Sequence, residues 1–290
     1  MSAPTLRPRR SVLYMPGSNG RALEKGKGLD ADGLILDLED AVAPDAKAAA
    51  RSQVMEAVRA GGYGHRELFV RANALDTPWG HEDLVAAATS GAHAVILPKV
   101  ESADAVRAAV RVLEAAGARE DLALWVMMET PRGILRAEEI ADAHRRLAGF
   151  VMGTSDLAKD LHAAHTAHRL PLLVGLGTAL LAARAAGLSI LDGVYLDLGD
   201  TEGFEASCRQ GVELGFDGKT LIHPKQLAAA NAAFAPTEAQ LARARKVVDA
   251  FDEAQRQGKG VVLVDGRLVE SLHVVAAQRT LALHRAITTR

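Results

Sequence analysis

The chain has 290 residues, 49% of them hydrophobic and 24% charged, the make-up of a globular α/β protein with room for one large domain or two small ones. A formal net charge of −2 and only 4% aromatics leave no stretch that joins basic clusters to stacking rings, which argues against a nucleic-acid partner. The single cysteine, Cys208, excludes an intrachain disulfide framework; Arg7, Arg9 and Arg10 precede no long apolar run, so neither a signal peptide nor a membrane span is expected, and the default is a cytoplasmic enzyme.

In chain order, short apolar runs predict strands at 11–15, 33–38, 67–71, 94–98, 124–128, 150–152, 193–196 and 216–219. Ala-rich helical patterns lie between them, at 44–59, 80–90, 103–116, 138–143 and 178–186 among others. Runs such as Leu34-Ile35-Leu36 and Ala94-Val95-Ile96-Leu97 are apolar without alternation, the mark of parallel strands covered on both faces. About eight β–α alternations in this length point to a (β/α)8 TIM barrel. The rival, an open doubly wound sheet, usually shows a Gly-rich turn after its first strand, and no G-x-G-x-x-G follows a strand here. The barrel is assigned to residues 1–224 as the catalytic domain. Residues 225–290 form a C-terminal helical and hairpin extension, a cap over the rim or an oligomer arm. Its elements are one or two helices over 225–257, the second starting at 237. A hairpin follows across Asp265-Gly266 between 261–264 and 268–269, then an amphipathic helix over 272–287.

Polar residues recur where the strands end. Asp37, Glu39 and Asp40 follow the second; Arg71 and Asn73 end the third; Lys99 and Glu101 follow the fourth; Glu129 ends the fifth. Thr154, Ser155 and Asp156 follow the sixth, and Asp197 and Asp200 the seventh. Each alone can be a helix cap or loop residue. Together they mark the C-terminal rim, where barrel enzymes place their chemistry. Glu129 and Asp156, at the ends of adjacent strands without a His or Cys set nearby, suit Mg²⁺ or Mn²⁺ better than Zn²⁺, with helix capping as the alternative. Arg71 offers a fork for a carboxylate or an enolate-like oxygen, or else a structural ion pair. Pro16-Gly17-Ser18-Asn19-Gly20-Arg21 with Lys25 and Lys27 is either a phosphate-binding turn or a capped helix start with solvated lysines. His162, His165 and His168 read as surface or loop residues, whereas His223-Pro224 directly follows the last barrel strand.

These motifs taken together resemble the citrate lyase β-subunit-like (CoA ester lyase) branch of the HpcH/HpaI aldolase superfamily. The resemblance rests on Ser11-Val12-Leu13-Tyr14-Met15-Pro16-Gly17-Ser18, on residues 36–44 from Leu36-Asp37 to Ala43-Pro44, on Val70-Arg71-Ala72-Asn73 and on Leu97-Pro98-Lys99-Val100-Glu101. Met128-Glu129-Thr130-Pro131-Arg132-Gly133, Gly153-Thr154-Ser155-Asp156-Leu157 and residues 215–224, from Gly215-Phe216-Asp217 to Ile222-His223-Pro224, complete it. It implies a barrel, a homo-oligomer (trimer or hexamer), and Mg²⁺-dependent carbon–carbon cleavage of a citramalyl, malyl or citryl thioester to acetyl-CoA and a 2-oxo acid. It further implies metal ligands at Glu129 and Asp156, substrate binding at Arg71, and CoA contacts at Arg21 and Lys27. Asp37, His223 and Pro224 are further candidates for contact with CoA, and Gly153, Thr154 and Ser155 for holding the acid's carboxylate through backbone N–H groups. In relatives the acid–base group is an Asp from a neighbouring subunit just after a hairpin; the match here is Glu270, one methylene longer, which otherwise simply begins the last helix. Three enzyme alternatives stay open: a citrate lyase β subunit acting on an acyl-carrier protein, a CoA-independent 2-oxo-acid aldolase, and a malyl-CoA thioesterase. A degenerate barrel kept as a binding subunit is the non-enzymatic one.

Overall fold

The computed structural model describes residues 7–290. Residues 9–234 form one compact unit, and residues 235–290 belong to a second.

In the first unit strands and helices alternate: β1 (Ser11–Pro16), α1 (Gly20–Gly26), β2 (Gly33–Asp37), α2 (Lys47–Ala60), β3 (Glu67–Arg71), α3 (Gly80–Ala88), β4 (Ala94–Leu97), α4 (Ala103–Ala115), β5 (Ala123–Met128), α5 (Pro131–Leu135), α6 (Ala137–Ala141), β6 (Leu147–Met152), α7 (Thr154–Asp160), α8 (Leu173–Ala185), β7 (Ser189–Asp192), α9 (Thr201–Leu214), β8 (Gly218–Leu221) and α10 (Leu227–Ala233). All eight strands are parallel, and β1 pairs with both β2 and β8, so the sheet closes. The expected (β/α)8 barrel is the observed fold.

Because side chains alternate across a strand, each one feeds two cores. One face, with Leu34, Leu36, Leu68, Val70, Val95 and Leu124, packs against the helices. Helix α4 presents Val106, Ala109, Val110 and Leu113 to this layer, and Ser102 caps its start by accepting the N–H of Ala105 at 3.3 Å. The other face fills the lumen with Val12, Ile35, Phe69, Ile96, Trp125, Val151 and Leu191. Trp125 meets Phe69 edge to face at 5.3 Å and occupies so much of the lumen that a Cβ on Gly149 would lie 2.4 Å from its ring. At the strands' N-terminal ends Arg9 seals the lumen. Its guanidinium stacks 5.0 Å from the Trp125 ring, grips Glu67 at 2.5 and 2.9 Å, and donates to Ser189 Oγ at 3.1 Å. The barrel is therefore a plugged core whose free end is the C-terminal rim.

Two strands depart from the expected positions. The seventh is residues 189–192, not 193–196, and the eighth runs 218–221 rather than 216–219. Both stretches near the seventh strand are apolar, so composition does not separate them. Pairing does: Leu191 stands opposite Gly218 and Asp192 opposite Lys219. Asp192 is a strand residue because Lys219 Nζ at 2.8 Å and Arg169 Nη1 at 2.6 Å neutralise it in the interior. Consequently Asp197 and Asp200 do not end a strand. Asp200 caps α9 by accepting the N–H of Gly203 at 2.8 Å, and Asp197 accepts that of Gly199 at 2.8 Å.

The second unit contains α11 (Glu238–Arg256), β9 (Val262–Val264), β10 (Arg267–Val269) and α12 (Ser271–Thr288). Thr237 and Gln240 form a reciprocal capping box at the start of α11, at 3.2 and 2.8 Å. Asp265 and Gly266 have φ of 47° and 73°, the doubly positive turn that suits the twist of a tight hairpin. Val247, Phe251, Val269, Val274 and Ala277 make its core. Among the described residues no helix is long and apolar enough to cross a membrane.

Candidate active site

Two-residue periodicity carries the lumen-facing rows of β2, β3 and β5 upward to Asp37, Arg71 and Met127, and one step further to Glu129. Asp37 and Arg71 are register partners at the ends of β2 and β3. Arg71 donates Nε to Asp37 Oδ1 at 2.7 Å and Nη2 to Oδ2 at 2.6 Å, a bidentate pair with both groups buried. The backbone N–H groups of Glu39 and Ala41 fill the remaining positions on the Asp37 carboxylate, at 2.9 and 3.2 Å. Nη1 of Arg71 lies 2.7 Å from Glu39 Oε2, at ion-pair distance but out of line for a hydrogen bond, and 3.5 Å from Asp40. Below, the guanidinium rests on the Tyr14 ring at 4.8 Å, and the Tyr14 hydroxyl finds Met127 Sδ at 3.9 Å. Burial pushes the Tyr14 phenol upward against the opposing pull of Arg71, so it stays a neutral donor.

Glu129, the first residue after β5, is 1% exposed. Its Oε1 accepts the backbone N–H of Lys99 at 2.7 Å. Burial, and then the negative charge of Glu39, push its carboxyl up to about 7; Lys99 and Arg71 oppose the shift and Asp156 adds to it. Burial likewise raises Glu39, which Arg71 and Lys99 offset; the Lys99 ammonium lies 2.8 Å from Glu39 Oε1. Asp156, in the first turn of α7, pairs with Lys159 at 2.7 Å and is partly open to solvent. Glu39 and Asp156 are thus carboxylates that both repel Glu129 at the rim. Among the described residues no three His, Cys, Asp or Glu side chains form a ready-made metal cage. A hard divalent ion needs none, since one or two carboxylates with water and substrate oxygens complete its shell. The donors are all oxygen, and a cation bound there would favour the ionised form of Glu129 that burial, and then Glu39, disfavour.

The surrounding loops are pinned for this purpose. Lys47, buried near the start of α2, donates to the carbonyls of Leu38 and Glu39 at 2.9 and 2.6 Å. Asn73 Nδ2 donates to the Leu38 carbonyl at 2.9 Å and to Asp83 at 2.6 Å. Gly153, the N-cap of α7, is required by Glu129: a Cβ there would lie 2.3 Å from the Cβ of Glu129 and 2.5 Å from its Oε2. Thr154 is buried and Ser155 half-buried in the first turn of α7, which Gly153 opens without a side-chain cap. None of these supporting roles carries a sequence signal beyond the motif letters; Glu39, Lys99 and Asn73 are legible as rim residues but not in their contacts.

The other candidates lie as follows. Asn19 caps α1 by accepting the N–H of Ala22, which makes 16–21 a helix start; Arg21 is exposed on it, and Lys27 pairs with Glu24 at 2.7 Å and sits 5.6 Å over the Tyr63 ring. His223 caps a 3₁₀ turn, Pro224–Gln226, its Nδ1 accepting the N–H of Lys225 at 3.1 Å. Gln226 returns to accept the N–H of Ile222 and His223 at 3.0 and 3.2 Å. Glu101 stands apart from the cluster, 3.7 Å from Arg132. His162, His165 and His168 are exposed between α7 and α8. Glu270 belongs to the second compact unit, where it begins α12 and its N–H donates to His273 Nδ1 at 3.0 Å.

The family model HpcH/HpaI aldolase/citrate lyase matches residues 10–224, the whole barrel. The chain is 52% identical over 280 residues to a (3S)-malyl-CoA thioesterase of Cereibacter sphaeroides, covering 97% of this chain and 96% of that one. It is 38% identical over 269 residues to the citrate lyase subunit beta of Escherichia coli, covering 91% and 89%. Among solved structures, protein CitE from Mycobacterium tuberculosis in complex with magnesium, acetoacetate and coenzyme A superposes with a TM-score of 0.76 at 31% identity, covering 95% of this chain and 97% of that one.

Proposed function

Since the chain belongs to the HpcH/HpaI aldolase/citrate lyase family, we propose that it acts on a malyl-type 3-hydroxyacyl-CoA thioester, with magnesium held by Glu129 and Asp156. It is an enzyme of an aldolase-like lyase family. The observation that carries the proposal is the buried Glu39 and Glu129 at the rim with the Asp156 carboxylate beside them, oxygen donors of the kind a hard cation takes. The magnesium and CoA bound by the CitE neighbour support it.

Bound there, the ion supplies a Lewis acid and a template for the carboxylate and hydroxyl of the acid moiety. Glu129 and Asp156 supply its protein oxygens. Arg71, locked edge-on by Asp37, directs Nη1 toward the same rim, where its charge favours a developing oxyanion. The net reaction we favour is thioester hydrolysis, on the strength of the 52% identity to a (3S)-malyl-CoA thioesterase. Water adds to the thioester carbonyl, the C–S bond breaks, and CoA leaves as the thiol with a proton from that water. The second reading, supported by the citrate lyase relatives, is carbon–carbon cleavage. There the 3-hydroxyl gives up its proton, the C2–C3 bond breaks, and C2 of the departing acetyl thioester takes a proton. The acid–base role implied for Glu270 belongs to that reading alone.

The test is product analysis with malyl-, citramalyl- and citryl-CoA in the presence of Mg²⁺. Free CoA with the intact hydroxy acid supports hydrolysis, and acetyl-CoA with a 2-oxo acid supports cleavage. Glu129→Gln should abolish the magnesium-dependent turnover in either case. Full activity in that variant rejects the metal assignment.

A further inference from the structure

Lys99 has a backbone φ of 52°, in the left-handed region that penalises any residue with a Cβ. Asp265 shares this trait for a plain reason, since a tight hairpin demands it. Lys99 instead follows β4 at the rim, beside the carboxylate cluster, where strained backbone tends to serve a site. Two contacts oppose the strain. The turned backbone aims its N–H at Glu129 Oε1, 2.7 Å away, and the side chain runs to Glu39, where the ammonium donates to Oε1 at 2.8 Å. The second oxygen of Glu129 faces elsewhere. It lies beside Gly153, where a Cβ would come within 2.5 Å, at the mouth of the turn that leads into Asp156.

We infer that Lys99 is a positioning residue for the metal site: its left-handed backbone fixes one oxygen of Glu129 and leaves the other for a divalent cation on the Asp156 side, while its ammonium anchors Glu39 and holds that backbone in place. The inference rests on the metal reading above and adds to it a residue that need not touch the ion or the substrate. The two halves of the device separate by substitution. Lys99→Arg keeps the charge and the strain. Lys99→Gly loses the ammonium but adopts the left-handed region freely. Lys99→Ala loses the ammonium and keeps the steric penalty, with only the backbone N–H to Glu129 left to oppose it.

The experiment is a calorimetric Mg²⁺ titration of the full-length, chelator-treated protein and these three variants, with circular dichroism and melting midpoints to establish that each is folded. Lys99→Arg should bind Mg²⁺ within about two-fold of wild type, since it keeps the ammonium's charge. Lys99→Gly should bind several-fold more weakly, and Lys99→Ala about ten-fold more weakly again, the factor expected of a left-handed residue with a Cβ. Equal affinity in all four proteins overturns the inference while leaving the metal site standing. Equal weakening in Lys99→Gly and Lys99→Ala overturns the backbone half. Absence of Mg²⁺ binding in wild type overturns the metal reading itself, and this inference with it.

Discussion

Glu129 concentrates the chemistry of the rim in one side chain. Its carboxyl is raised to about 7, first by burial and then by Glu39. An unfolded-chain Glu ionises near about 4.3. Between these values the folded metal-free protein holds a proton that the unfolded chain has lost, so this group's contribution to stability declines as pH rises through that window. A divalent cation competes with that proton and reverses the penalty. The rise in melting temperature on adding Mg²⁺ should therefore be large at pH 8 and much reduced at pH 6, as read by scanning calorimetry. An equal rise at both pH values would mean that Glu129 is not a ligand.

Elements meet at the site through small clearances and buried pairs. The β6–α7 turn approaches β5 so closely that only glycine fits at 153. Gly153→Ala should cost about 1–3 kcal/mol of stability by overpacking, measured by urea unfolding, and should lower Mg²⁺ affinity by displacing Glu129. Strands β7 and β8 are joined by Asp192 and Lys219, both fully buried. Burial opposes ionisation of Asp192, but Lys219 and Arg169 outweigh it and hold its carboxyl below the usual range. Lys219→Met should destabilise on the order of 3–5 kcal/mol, because it strips a buried charge of its one fully buried cationic partner. The double variant Asp192→Asn/Lys219→Met should recover part of that loss; failure to do so would assign the cost to packing instead. The same pair explains why the seventh strand is misplaced in a reading of the sequence. A charged residue looks like a strand terminus until its partner, on the next strand, is known.

At the scale of the molecule the lumen decides which end can work. Trp125, Phe69 and the Arg9–Glu67 clamp close the N-terminal end, so chemistry is confined to the rim formed by the strands' C-termini. Trp125→Ala should lower stability by about 3–5 kcal/mol, measured by chemical denaturation, since the lumen is lined from all sides and collapses poorly. A loss below about 1 kcal/mol would show that the lumen repacks.

The sequence by itself determined the barrel, because the alternation of two-sided apolar strands with helices is a local periodicity that survives without coordinates. It also determined which residues reach the rim, since Arg71, Glu129 and Asp156 end or directly follow strands whose direction the alternation sets. Tertiary structure alone decided what those residues touch: Asp37 on Arg71, Lys99 on Glu129 and Glu39, Gly153 against Glu129, Lys219 on Asp192. The physical reason is range. Periodicity is fixed by neighbours a few residues away, whereas charge pairing, clearance and desolvation depend on groups that the chain brings together from 24 to 60 residues apart.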